Sequence, residues 1–168
     1  AEAIIKPYAS IQYGSVVIDA EEDASWSKVD AIPLTIVLGA EASATVKALW
    51  DNEYLYVYSE VKDAELDNTS TQAHEVDSLE VFIDENNAKA DSYQDDDKQY
   101  RISYENAQSF NGPKCTADNV ISAARITEDG YVVEAAFKWT DITPAAGQEI
   151  GIEFQINDGK GGKRTGTA

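Results

Sequence analysis

The sequence predicts an all-β fold, a sandwich or a barrel, on three observations. Alternation of period 2 runs through most of the chain, turn signals separate the alternating segments, and no sustained 3.6-residue apolar stripe appears. Ala44, Val46, Ala48 and Trp50 face one way, and Thr45 and Lys47 the other. Asp51-Asn52 then turns the chain into Tyr54-Leu55-Tyr56-Val57-Tyr58, so 44–61 reads as a hairpin. Leu79, Val81 and Ile83 alternate with Glu80, Phe82 and Asp84, and Tyr100, Ile102 and Tyr104 with Gln99, Arg101 and Ser103. Glu128-Asp129-Gly130 turns between 121–127 and 131–138, and Ile150, Ile152, Phe154 and Ile156 alternate with Gly151, Glu153, Gln155 and Asn157.

A chain of 168 residues reads as one domain, 1–168, with no composition shift and no internal repeat. It is long enough to bury roughly 70% of its unfolded surface without staples. Its formal net charge of −18 argues against nucleic acid and against anionic membrane surfaces, leaving neutral ligands and cations. No stretch is apolar for the roughly 20 residues a membrane span needs. The absence of any Met reads as a chain excised by signal cleavage or from something larger. A single Cys, Cys115, excludes an intrachain disulfide, and a single His, His74, excludes zinc sites built on several imidazoles. Gly159-Lys160-Gly161-Gly162-Lys163-Arg164-Thr165 only superficially resembles a phosphate loop, since no helix follows it.

Two groups of residues carry chemistry. By parity Glu80, Arg101 and Gln155 lie opposite the aliphatic members of their strands, so adjacent strands would gather a carboxylate, a guanidinium and an amide. Such a set donates to and accepts from neighbouring hydroxyls, as a sugar requires, though the same residues also describe a surface ion pair beside a surface amide. The acidic loops are the second group. Asp63, Asp67, Asn68, Glu75 and Asp77 crowd one connection, and Asp84-Glu85-Asn86-Asn87 and Asp95-Asp96-Asp97 flank another. Their hard oxygens can cage calcium or simply solvate a loop.

Several ordered segments carry more than alternation. They are Val16-Val17-Ile18-Asp19 with Trp26, Leu49-Trp50-Asp51-Asn52-Glu53-Tyr54-Leu55-Tyr56-Val57, and Asp77-Ser78-Leu79-Glu80-Val81-Phe82-Ile83-Asp84-Glu85-Asn86-Asn87. Asp95-Asp96-Asp97-Lys98-Gln99-Tyr100-Arg101, Gly130-Tyr131-Val132-Val133-Glu134-Ala135-Ala136 and Phe154-Gln155-Ile156-Asn157-Asp158 follow, and in this order the set resembles family 9 carbohydrate-binding modules over about 10–160. The resemblance implies an antiparallel β-sandwich, jelly-roll or immunoglobulin-like, that is non-catalytic and secreted as part of a modular xylanase. It implies binding of xylan, cellulose or short xylo- and gluco-oligosaccharides, some at reducing ends, and structural calcium. It carries the sugar contacts onto Glu80, Arg101 and Gln155, with His74 where the family has its first clamping Trp. The calcium candidates are Asp63, Asp77, Asp84, Asn86, Asp95 and Asp97.

The second clamping Trp and the closing strand of the family follow the Asn157-Asp158 segment, and neither is legible here. Residues 161–168 read instead as an exposed flexible tail, and the sandwich as short of its last strand. An open edge of that kind invites self-association. Trp50 and Trp139 read as core rather than as replacements for the clamp. Two other functions stand beside sugar binding. One is a calcium-stabilised extracellular structural or adhesion domain with no sugar site. The other is a small glycoside hydrolase, against which Arg101 beside Glu80 already speaks, because it favours the ionised carboxylate over a general acid. A haem-carrying relative of the sandwich is excluded by the missing Met and the single His.

Overall fold

The computed structural model describes residues 8–168; residues 1–7 of the expected 1–168 domain lie outside the described residues. The strands are β1 (Gln12–Tyr13), β2 (Ile32–Pro33), β3 (Ser43–Trp50), β4 (Tyr54–Lys62), β5 (Ser78–Asp84) and β6 (Asp97–Ser103). They continue as β7 (Gln108–Asn111), β8 (Val120–Ile126), β9 (Gly130–Lys138), β10 (Gly151–Lys160) and β11 (Lys163–Thr167). One sheet runs β1-β3-β4-β9-β8, with β2 also on β3, and the other runs β11-β10-β5-β6-β7. All pairs are antiparallel except β1 with β3. The expected sandwich is present.

Between the sheets lie Val46, Leu55, Val57, Leu79, Val81, Ile83, Tyr100, Ile102, Val133, Phe137 and Ile156, all buried. These are the members that period-2 alternation places on one face of each strand. At the β3–β4 turn, Asp51 Oδ1 accepts the N–H groups of Glu53 and Tyr54, each at 2.8 Å, which closes the hairpin. At the β8–β9 turn only glycine fits at position 130, because a Cβ there would lie 2.0 Å from the Val61 carbonyl oxygen.

A second apolar layer covers the outer face of the first sheet. Leu49, Tyr56, Tyr58, Val132 and Ala136 are buried there beneath Ala20 and Trp26 of the N-terminal segment. Val16-Val17-Ile18-Asp19, which the likeness implies as the entry strand, forms no ladder. Val16 and Ile18 pack inward against that layer while Val17 stays 68% exposed.

The C-terminal residues correct the reading of 161–168 as a tail. Gly161 and Gly162, with φ of 61° and 76°, make a two-residue hairpin turn, and 163–167 return as β11 along β10. Thr167 exchanges backbone hydrogen bonds with Leu38 at 2.8 and 3.1 Å. Ala168 does the same with Ile156 and is buried. The β10 edge, on which self-association was expected, is therefore occupied.

Candidate functional site

Among the described residues, no such apolar layer covers the outer face of the second sheet. Its outward row is set by register: Gln155 pairs with Glu80, Glu80 with Arg101, and Arg101 with Ser109. Adjacent strands thus bring the three parity-selected residues side by side.

Glu80 is the hub, only 1% exposed. Its Oε1 accepts from Arg101 Nε at 2.7 Å and Asn157 Nδ2 at 2.6 Å, and its Oε2 from Gln99 Nε2 at 2.6 Å. Burial alone would push the carboxyl's pKa up, but the bonds from Arg101, Asn157 and Gln99 outweigh burial and hold it below its ordinary value. Glu80 is therefore an ionised acceptor and unfit as a general acid at neutral pH. Arg101 Nη1 donates to Ser109 Oγ at 2.9 Å. Gln155 joins the row through Asn157, whose Oδ1 accepts Gln155 Nε2 at 3.2 Å and Arg164 Nη1 at 3.1 Å. Arg101, Gln99 and Gln155 are half-buried, so their remaining donors and acceptors reach solvent. Sequence reasoning missed Asn157, Gln99 and Arg164; the parity that selected Gln155 selects Asn157 as well.

His74 is exposed in a short 3-10 turn, Ala73–Glu75, that packs beside β6, β10 and β11, the strands that carry Arg101, Gln155 and Arg164, and it makes no hydrogen bond to the row. Trp50 and Trp139 are half-buried, their indoles donating to the carbonyls of Ile11 and Asp51, each at 3.0 Å. Neither belongs to the Glu80 row.

The acidic candidates divide into two groups. Asp63, after β4, and Asp77, before β5, meet Asp158 of β10, with carboxylate oxygens within 4.8 Å of one another. This group bridges the two sheets. Asp77 Oδ1 and Oδ2 accept the N–H groups of Gly159 and Asp67, each at 2.6 Å, and Asp158 Oδ2 accepts that of Ala42 at 2.9 Å. Burial, aided by neighbouring Asp63, pushes Asp77 up to about 7. Two buried oxygens beside these charges have no hydrogen-bond partner among the described residues, Asp63 Oδ2 and the hydroxyl of Tyr131. Tyr131 is fully buried, and its pKa is raised first by burial and then by Asp77, Asp63 and Asp158. A set of carboxylates with an oxygen to spare fits a hard divalent cation.

The second group is Asp84, Asp96 and Asp97, within the same 4.8 Å of one another. Asp95 is exposed and outside it, and Asp96 takes the place expected for Asp95. Asn86 is spent on the loop, donating from Nδ2 to Asp96 at 2.8 Å and accepting the Ala88 N–H at 2.8 Å.

Against known proteins, the family model described as carbohydrate family 9 binding domain-like matches residues 18–168. Exoglucanase XynX of Acetivibrio thermocellus is 47% identical over 161 residues, which are 94% of this chain and 15% of that protein. Endo-1,4-beta-xylanase A of Thermoanaerobacterium saccharolyticum is 45% identical over 161 residues, again 94% of this chain and 14% of that one. The chain thus spans about 15% of the length of these relatives. Among solved structures, a family 9 carbohydrate-binding module from Caldicellulosiruptor kristjanssonii in complex with cellotriose superposes with a TM-score of 0.89 at 34% identity. The match covers 94% of this chain and 80% of that one. The same module in complex with glucose gives 0.88 at 34% identity, over 94% and 82%.

Proposed function

The chain belongs to the carbohydrate family 9 binding domain-like family, a family of non-catalytic binding modules, and from that premise we propose that it holds a longer secreted enzyme onto plant cell-wall polysaccharide. The parent activity that fits best is an endo-xylanase, and the ligands are xylan, cellulose and their short oligosaccharides. The observation that carries this reading is the Glu80–Arg101–Gln155 row on an open sheet face. Sugar hydroxyls each donate and accept, and the row offers both functions on a rigid strand scaffold. Polymers of this kind do not enter cells, so the module works outside them.

Calcium at Asp63, Asp77 and Asp158 is proposed as the structural ion. Three crowded carboxylates and the partnerless Asp63 oxygen support it. The ion would supply charge neutralisation between the sheets and take no part in sugar contact.

The deciding experiment is calorimetric titration of the protein and its Arg101→Ala and Gln155→Ala variants with glucose, cellobiose and xylobiose, and with their reduced alcohols. The native protein should bind at least one gluco- or xylo-sugar, Arg101→Ala about tenfold or more weakly, and Gln155→Ala several-fold more weakly. Loss of binding to the alcohols marks reducing-end recognition. No binding by the native protein to any of these sugars overturns the reading.

A further inference from the structure

The Glu80 row does not end at its polar residues. Two positions further along β5, about 6.7 Å away at the usual strand rise, the same outward face carries an aromatic ring, Phe82. Its neighbours across the ladders are Gln99 on β6 and Glu153 on β10. An apolar residue on the otherwise polar outward face of β5 is half-buried rather than sealed, with Val81 and Ile83 buried on either side of it facing the core.

A second ring stands over the same place. Tyr93, 52% exposed, comes from the loop between β5 and β6. Its hydroxyl lies 3.5 Å from Gln99 Oε1. Gln99 is the residue that donates to Glu80 at 2.6 Å, and its Oε1 also accepts from Asn111 at 3.1 Å. The loop is folded by carboxylates. Asp84 Oδ2 accepts the Lys89 N–H at 3.0 Å, Asp97 Oδ2 that of Gln94 at 2.7 Å, and Asp96 that of Asn86 at 3.0 Å. Tyr93 is thus carried next to Phe82 on a braced loop. Both rings line a groove of about 340 Å³, together with Asp84, Lys89, Asp97 and Glu153.

We infer that this groove is a second sugar subsite, in which Phe82 and Tyr93 take the C–H face of a pyranose ring adjoining the one held by Glu80, Arg101 and Gln155. The inference rests on the sugar-binding reading and deepens it, making the module a binder of oligosaccharides rather than of single sugars. The chemistry points to one class of occupant. Asp84, Asp97 and Glu153 repel anions, and an overall charge of −18 repels them further. A neutral, hydroxyl-rich chain meets both the apolar rings and the charged rim without penalty. The step from Glu80 to Phe82 is about one ring of a β-linked chain, and Gln99, hydrogen-bonded to both Glu80 and Tyr93, links the row to the groove's aromatic wall.

The test compares chain lengths. Glucose, cellobiose, cellotriose and xylotriose are titrated calorimetrically into the native protein and into Phe82→Ala, Phe82→Leu and Tyr93→Ala, with thermal unfolding recorded for each. The native protein should bind the di- and trisaccharides more tightly than glucose. Phe82→Ala and Tyr93→Ala should reduce that gain about fivefold and change glucose affinity less than twofold. Phe82→Leu, which keeps apolar volume without the ring, should lose part of the gain. Tyr93→Ala lies on an exposed position and supports or overturns the inference even where Phe82→Ala fails to fold. Sugar binding by the native protein with no gain from glucose to cellotriose, or equal loss for glucose and cellotriose in the variants, overturns the subsite alone. No sugar binding by the native protein overturns the underlying reading and the subsite with it.

Discussion

The two outer faces of the sandwich each centre on a buried glutamate with three hydrogen bonds. Glu134, on β9, receives Trp26 Nε1 at 2.7 Å and the N–H groups of Asp19 and Ala20 at 2.9 and 2.8 Å. Glu80, on β5, receives Arg101, Asn157 and Gln99. Both are essentially inaccessible, at 0% and 1%. Their pKa values nevertheless move in opposite directions. Burial raises Glu134, and its neutral donors do not overcome burial. At Glu80 burial is overcome, because one donor is a guanidinium and the others are amides. What differs is what each carboxylate holds. Glu134 fastens the chain's own N-terminal segment over one face and closes it. Glu80 organises side chains that still point outward. One buried carboxylate completes the fold, and the other prepares a surface.

That contrast predicts a dissociation of effects. Glu134→Ala leaves an indole and two backbone N–H groups without acceptors inside a closed layer, at a cost of about 3 kcal/mol. Thermal unfolding should fall by about 10 °C, while sugar affinity stays within twofold. Glu80→Ala should do the reverse, weakening sugar binding about a hundredfold with a smaller thermal change, since two of its former donors, Arg101 and Gln99, are half-buried and within reach of water. Paired calorimetry and circular dichroism decide it. If Glu134→Ala abolished sugar binding in a folded protein, the two faces would not be independent.

A smaller effect concerns the cluster between the faces. Asp63, Asp77 and Asp158 bridge both sheets, so stripping calcium should loosen both together. A chelator should lower the melting temperature by about 5 °C, restored by added calcium, with both native-state faces otherwise retained. An unchanged melting curve in chelator, with no calcium found by elemental analysis of the purified protein, rejects the ion.

The smallest effect is in the pH profile, where the two glutamates have opposite signs. Glu80 has a lowered folded pKa, so its contribution is present above its unfolded value, near 4.3, and is lost as pH falls through the folded value. Glu134 has a raised one, so its contribution is full below the unfolded value and fades as pH rises through the folded value. Melting curves from pH 3 to 7 should show Glu80→Gln losing part of the acid-side decline. Glu134→Gln should instead lose part of the decline above about pH 4.5. Identical profiles for the two variants would remove the distinction.

The Glu80 row was legible because parity is a local property of each strand, and β5, β6 and β10 pair in register. Nothing local announces a neighbour from a distant segment. Asp158 joins Asp63 and Asp77 only because β10 returns beside β5, and Asp96 rather than Asp95 joins Asp84 because it directly precedes Asp97, the first residue of β6 and the ladder partner of Asp84. The closed face was hidden for a related reason. Tyr56 and Tyr58 alternate with Leu55 and Val57, and amphipathic rings on a strand fit a wet face as well as a covered one. Only the position of Trp26 distinguishes them. β11 was missed because Lys163-Arg164-Thr165-Gly166 is too polar and glycine-rich for a strand by composition. The Gly161-Gly162 pair was the signal available, being a preferred two-residue hairpin loop. Gly166 has its own reason to be small, since a Cβ there would lie 2.1 Å from the Ala40 backbone nitrogen.

The three indoles give the molecule an optical asymmetry. Trp26, Trp50 and Trp139 all belong to the closed sheet and its surroundings, and each indole N–H is already committed, to Glu134, Ile11 and Asp51. None stands in the Glu80 row or in the groove beside it. Tryptophan emission therefore reports the covered face, through Trp26, and the core between the sheets, through Trp139, and no indole lines the Glu80 row. In an unfolding curve read at that wavelength bound sugar shifts the midpoint by mass action and makes no direct contact with the chromophore. In the proposed subsite the chromophore that would sense the ligand directly is a tyrosine, Tyr93, which lines the groove.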